Sequence, residues 1–178
     1  MLAATRDLLV RRGYTDLTLA EVAARAGTTK PAIYRRWRSK AHLVHEAAFP
    51  LEDAAHIDAD GPSDGTVAEE LRRVVAASAR VLSTPAARAA MPGLVGEFQA
   101  DPLLHASLLQ RFRAGPIADV ALRLRVAHGA RADLDIDRVI GLIAGAVLFD
   151  LLVDITTDFD PLWVDRTTSL LLRGIADD

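Results

Sequence analysis

Apolar residues recur along this chain at every third or fourth position and almost nowhere alternate with polar ones, which is the pattern of helices rather than strands. The first helix runs through Leu2, Thr5, Leu8 and Leu9 and stops at Gly13, a glycine in a C-cap position. It begins at Met1 without a polar approach, as expected if residues upstream are missing. Leu19, Val22, Ala23 and Ala26 then fall at i, i+3, i+4 and i+7, one buried face of a second helix that Thr18 and Glu21 open as a T-x-x-E capping box. Gly27 supplies a tight turn. Thr28 or Thr29 caps a third helix, running from Thr29 to about Trp37, with Pro31 in the first turn, where no intrahelical amide bond is lost. Ile33 and Trp37 turn inward. A fourth helix starts at Ser39 with Leu43, Ala47 and Leu51 inside, and Pro50 kinks or ends it.

The segment His56–Gly65, rich in Gly, Pro and Asp, reads as an interdomain loop. Thr66 with Glu69 repeats the capping box and opens a helix whose apolar face is Leu71, Val74, Val75, Ser78 and Leu82. Thr84-Pro85 starts a short helix that Pro92 interrupts, and Leu94, Val95 and Phe98 resume a helical face. Asp101-Pro102 opens a longer run, bent or broken at Gly115-Pro116, that reaches about His128. A strongly apolar helix spans Asp135 to about Asp154, and Asp160-Pro161 opens the last, ending near Arg173-Gly174. The fold class is all-α, with about nine or ten helices.

Composition narrows the chemistry. There is no cysteine, which excludes disulfides and thiolate chemistry and fits a reducing cytoplasm. No signal peptide is visible, and the most apolar stretch, Val139–Val153, is too short to span a bilayer and contains Asp150, so a soluble cytoplasmic protein with no membrane partner is expected. The histidines 42, 45, 56, 105 and 128 are scattered, so no metal site is expected. No phosphate loop, G-x-S-x-G or acid–base pair stands out, so the chain reads as no enzyme and as needing no cofactor. The charge is segregated. Residues 1–48 hold nine Lys/Arg against four acids, whereas the remainder holds twelve against twenty. A basic head on an acidic body suits a polyanion-binding module joined to another domain, although a solvated charged face explains either half alone.

The basic head is also where the motif lies. A helix, a glycine turn and a second short helix make a helix-turn-helix, in which one helix enters the major groove of double-stranded DNA while the other braces it. The second helix exposes Lys30, Ala32, Tyr34, Arg35 and Arg36; cations there neutralise phosphates or donate to guanine edges, and a tyrosine hydroxyl reaches a phosphate. Lys40 begins the next helix, whose N-terminal dipole adds attraction for a phosphate. For Arg35 and Arg38 simple solvation is an equal alternative, and Trp37 reads as core. The run G-Y-x-x-L-T-L-A-E-V-A-x-x-A-G-T-T-K-P-A-I-Y-R-R-W-x-S-K-x-x-L-V, Gly13 to Val44, closely resembles the DNA-binding domain of TetR-family transcriptional regulators. That resemblance implies a DNA-binding domain at 1–46, with its motif at 18–37, and a helical effector-binding and dimerisation domain at 47–178. It also implies base contacts at Lys30, Pro31, Ala32 and Arg36, with Ala20 near the groove, and phosphate contacts at Thr18, Thr29, Tyr34 and Lys40. Pro31 and Ala32 offer only apolar contact, which leaves Lys30 and Arg36 as the hydrogen-bonding readers.

Beyond residue 47 the resemblance is looser. The helix from Asp135 carries Gly141-x-x-x-Gly145 and Ala144, which permit close helix approach, and is apolar nearly all round, as a helix buried on several sides must be. With Leu148 and Leu152, and with Leu170 and Leu171 of the last helix, these residues are the expected homodimer interface; burial in the chain's own core is the other reading. Met91, Leu94, Phe98, Gln99, Leu108, Phe112 and Phe149 are candidates to line a pocket for a small-molecule effector, and each is also ordinary core material. The expected function is therefore a homodimeric repressor that binds a palindromic operator and is released by a ligand. The alternative is a regulator-like DNA-binding protein controlled by a protein partner or acting without a ligand.

Overall fold

A computed structural model describes residues 1–50, 63–114, 116–154 and 158–175. Among them are ten helices and no strand; one isolated bridge pairs Thr66 with His128. The chain divides into two compact units, Met1–Leu51 with Thr84–Gln110, and Glu52–Ser83 with Arg111–Asp178.

The first unit contains α1 (Leu2–Asp16), α2 (Leu19–Arg25), α3 (Lys30–Tyr34), α4 (Lys40–Ala48) and α6 (Pro85–Ala100). α1 packs against α2, α4 and α6, and α4 also packs against α6. Gly13 interrupts α1 with φ 75° and ψ 177°, so the helical run ends where glycine predicts and the chain turns once more through Tyr14–Asp16. Thr5, expected on the apolar face, is fully buried, and its hydroxyl donates to the Met1 carbonyl at 3.1 Å. α4 stops at Ala48, because Phe49 precedes Pro50 and is pushed out of the helical region. Leu51 lies outside the described residues, as does most of the expected loop at 56–65.

α6 corrects one expectation. Pro92 does not divide it, and the helix is continuous from Pro85 to Ala100. The missing amide costs one backbone bond, and Ala86, Ala87, Ala90, Met91 and Leu94, buried before and after the proline, hold the helix in register.

The second unit holds α5 (Val67–Leu82), α8 (Pro116–Val126), α9 (Ile136–Leu152) and α10 (Pro161–Ile175); α7 (Pro102–Ala114) is shared between the units. Its core joins Val67, Leu71, Val74 and Val75 of α5 to Val120 and Leu124 of α8, Ile136, Val139 and Ile143 of α9 and Val164 of α10. Thr66 caps α5 by accepting from the Glu69 amide, but the reciprocal half of the expected box is absent. The Glu69 carboxylate pairs instead with Arg73 at 3.1 Å, and Asp64 takes the Thr66 amide at 2.8 Å. Charged pairs tie the helices laterally, Glu70 to Arg123 at 3.2 Å and Arg72 to Asp165 at 3.1 Å. No helix among the described residues is long and apolar enough to cross a membrane.

Asp150, the acid inside the apolar α9, is explained by α10: its carboxylate accepts from the Trp163 indole at 2.6 Å, and Phe159 meets the edge of the same ring. Losing a hydrogen bond to a partly buried charge costs about 1.5–3 kcal/mol. Trp163→Phe is therefore expected to lower the unfolding free energy by that amount, seen as a lower urea midpoint with an unchanged slope of the transition; an unchanged midpoint would show that the bond holds nothing.

Candidate nucleic-acid interface

α2 and α3 form a helix-turn-helix whose termini are fixed by side chains. The Thr18 hydroxyl accepts from the Glu21 amide at 3.3 Å and donates to its carboxylate at 2.9 Å, while the Thr18 amide donates to the same carboxylate at 3.2 Å. Arg12 adds an ion pair to Glu21 at 2.6 Å. Gly27 turns the chain with φ 61°, a conformation that other residues adopt at a cost. Thr29 caps α3 by accepting from the Ala32 amide at 3.4 Å. Leu19, Val22 and Ala23 of α2 and Ile33 of α3 are buried, as is Trp37.

With Ile33 inward, Thr29, Lys30, Pro31, Tyr34 and Arg35 are all exposed, and Ala32 is half-buried between the two faces. Lys30 and Tyr34, like Pro31 and Arg35, are four residues apart and share one side of the short helix. Thr18 and Ala20 are exposed at the start of α2. Thr29, Lys30, Tyr34 and Arg35 are thus polar or basic groups exposed together with Pro31, while Ala32 stands at the margin of that surface.

Arg36 and Lys40 are arranged differently from the rest. α3 ends at Tyr34 rather than near Trp37, so Arg36 lies in the following turn. Its guanidinium is 3.5 Å from the Glu46 carboxylate and stands over the Trp37 ring at 4.8 Å. Glu46 also accepts from the Trp37 indole at 3.0 Å, so one α4 acid orients both side chains. The half-buried Lys40 stands 4.4 Å over the ring of Tyr14 and donates to the Thr15 carbonyl at 3.2 Å. Burial pulls its pKa down, against the opposing pull of Glu97 and Asp16. Burial also pushes the Tyr14 hydroxyl far above its usual range, with the nearby Glu97 adding to the effect. Glu46, Tyr14 and Glu97 are contributors that sequence reading missed; nine residues separate Trp37 from Glu46 and no helical register links them.

The residues expected to line a pocket are dispersed. Met91, Leu94 and Leu108 are buried; Phe98 is half-buried, stacked on His105 at 5.4 Å and edge-on to His45 at 6.1 Å; Gln99 is exposed. These five belong to the first unit. Phe149 belongs to the second and is 60% exposed, so it lines no interior there. The side chain of Phe112 lies outside the described part. In the second unit, α9 buries Ile136, Val139, Ile143, Val147 and Leu151 and leaves a separate apolar face of Leu142, Phe149 and Leu152 exposed. Of the expected interface residues, Gly141, Gly145, Leu152 and Leu170 are exposed, and Ala144, Leu148 and Leu171 are half-buried. A cleft of about 450 Å³ adjoins this face, lined among others by Leu134, Arg138, Leu142 and Leu170.

Residues 1–47 match the profile of bacterial regulatory proteins of the tetR family, and residues 62–171 match that of the tetracyclin repressor-like C-terminal domain. The chain belongs to the TetR family of bacterial transcriptional regulators. This TetR-family chain is 43% identical over 74 residues to an HTH-type transcriptional regulator of Mycobacterium tuberculosis, a match covering 42% of this chain and 35% of that one. It is 41% identical over 58 residues to the DNA-binding transcriptional repressor TetR of Mycobacteroides abscessus, covering 33% of this chain and 30% of the relative. The chain thus spans about a third of the length of these curated relatives. A TetR-family protein from Vibrio parahaemolyticus has the same fold, with TM-score 0.65 and 16% identity over 99% of this chain and 97% of that one.

The capping box gives a pH prediction. The Thr18 hydroxyl, first, and then the Thr18 amide and Arg12 hold the Glu21 carboxyl below its ordinary 4.5, against the opposing effect of burial. A depressed carboxyl contributes stability that is present above the ordinary value and lost as pH falls through the folded one. The difference in melting temperature between the wild type and Glu21→Gln is expected to be present at neutral pH and to shrink below about pH 4. A difference that stays constant into acid would remove the carboxylate from the cap.

Proposed function

We propose that this TetR-family regulator is a homodimeric repressor that binds a palindromic DNA operator through α2 and α3 and is released by a small molecule bound in its 47–178 part. The observation that carries the reading is the exposed stripe of Thr29, Lys30, Pro31, Tyr34 and Arg35 on a helix whose opposite side is buried. A helix fixed in this way presents cations and hydroxyls to the major groove without first having to order them. Lys30 donates to base edges, with Pro31 and Ala32 making apolar contact, for example with a thymine methyl. Thr18, Thr29, Tyr34 and Lys40 hold phosphates, and Arg35 adds charge. Arg36 reads a base after exchanging its Glu46 partner for the groove. The Mycobacteroides abscessus relative is a DNA-binding transcriptional repressor by name, which supports the sign of regulation.

The dimer reading is supported by Leu142, Phe149, Leu152 and Leu170, apolar and 40–71% exposed, and by Gly141 and Gly145, where an added methyl group would meet nothing within 4 Å. Two copies joined on this face relate two recognition helices by a twofold axis, the symmetry of a palindrome. A ligand releases DNA by preferring the arrangement in which those helices no longer match successive grooves.

Two experiments test this. Genomic fragments selected by the wild-type protein are expected to bind Lys30→Ala and Arg36→Ala about 5–150-fold more weakly, as removal of a base-reading hydrogen-bond pair of about 1–3 kcal/mol requires. Unchanged binding in both removes them as readers. By sedimentation at micromolar concentration the wild type is expected to be a dimer and Leu170→Glu a monomer; a monomeric wild type overturns the dimer.

A further inference from the structure

Gly93 occupies the interior of α6, directly after Pro92, in a position where glycine is among the poorest helix formers. It makes room for Tyr14. A Cβ added at position 93 would overlap the Tyr14 ring and stand 2.8 Å from the Tyr14 Cβ. The second distance is the decisive one. Turning the ring leaves its Cβ in place, so no rotamer of Tyr14 relieves the overlap and the backbone must move. The backbone concerned is the turn Tyr14–Asp16 that follows the break at Gly13. Both restraints on Lys40 reside in that turn: the face of the Tyr14 ring, 4.4 Å away, and the Thr15 carbonyl, 3.2 Å away. Tyr14 is 8% exposed, so its position is set by what it packs on.

We infer that Gly93 is a positioning residue for DNA binding: the close seat it gives Tyr14 on α6 holds the Lys40 ammonium in place. The inference rests on the proposed role of Lys40 in holding a phosphate. Gly93 touches no DNA in this scheme and acts through two intermediaries, the ring and the carbonyl. A merely structural glycine would alter melting behaviour and leave the ammonium where it is.

The test has one arm without DNA and one with it. The ε-methylene resonance of Lys40 is expected to be shifted upfield by the Tyr14 ring in the wild type and to return toward its ordinary position in Gly93→Ala. Retention of the wild-type shift in Gly93→Ala, or its absence from the wild type, overturns the inference whatever the protein binds. In the second arm, a mixed-sequence DNA duplex is titrated at several salt concentrations. Gly93→Ala and Lys40→Ala each release one phosphate, so each is expected to weaken binding about fivefold near 0.15 M salt and to reduce the salt slope by about 0.9. The double variant should bind no more weakly than Lys40→Ala alone. Tyr14→Leu removes the ring face over which Lys40 stands and should reduce the salt slope in the same direction as Gly93→Ala, which decides the matter if Gly93→Ala does not fold. Additive losses in the double variant, or a wild-type slope in Gly93→Ala and Tyr14→Leu, overturn the positioning role. Salt-independent binding by the wild type sinks the DNA reading itself and leaves the resonance to judge the seat.

Discussion

α3 is five residues long, and a helix of that length is unstable alone, because fixing its backbone costs more than its few hydrogen bonds return. Its existence depends on burial of Ile33 and Trp37, the two side chains by which the segment enters the core of the first unit. The rest of that unit is arranged around this constraint. The Thr29 cap satisfies an amide at the start of α3, Gly27 sets the turn before it, and Glu46 on α4 fixes the Trp37 indole after it. The exposed stripe is rigid because the opposite side is anchored.

The two cations that follow α3 show a second layer of control. The exposed Arg36 and the half-buried Lys40 each stand over an aromatic ring, and each has an oxygen partner within the protein. Such restraint lowers the side-chain entropy still to be lost on binding, at the cost of exchanging the existing partner. For Arg36 that partner is a carboxylate, so the exchange is more expensive than for Lys40, whose partner is a carbonyl. The same basic surface therefore contains groups of graded availability, with Lys30 and Arg35 exposed and Lys40 half-buried.

Local chemistry was legible in the sequence wherever cause and effect lay within one turn of helix. The Thr18–Glu21 box, the Gly13 stop, the Gly27 turn and the inward Ile33 and Trp37 are all as the spacing predicts. The all-α class followed for the same reason. Elsewhere the outcome was set by competing partners or by neighbours distant in sequence. Glu69 has an arginine one turn ahead and Thr66 an aspartate two residues behind, and these competed successfully against the expected reciprocal cap. Pro92 breaks helices in isolation, yet the buried residues on both sides of it outweigh one lost amide bond. Arg36 reads as helical from the sequence because nothing local reveals Glu46. Phe149 was placed on an interior by its chemistry alone, whereas the face it occupies on α9 is exposed.

The first unit is assembled from two stretches of chain, Met1–Leu51 and Thr84–Gln110. During synthesis the helix-turn-helix leaves the ribosome before α6 exists, and some fifty further residues must be added before Tyr14 has its seat, a delay of about 3–10 s at ordinary elongation rates. In that interval α1 and α4 expose the apolar faces that α6 later covers. The helix-turn-helix is thus made well before the unit that holds it can be completed, and it cannot be moved to another protein as a simple cassette without taking α6 with it.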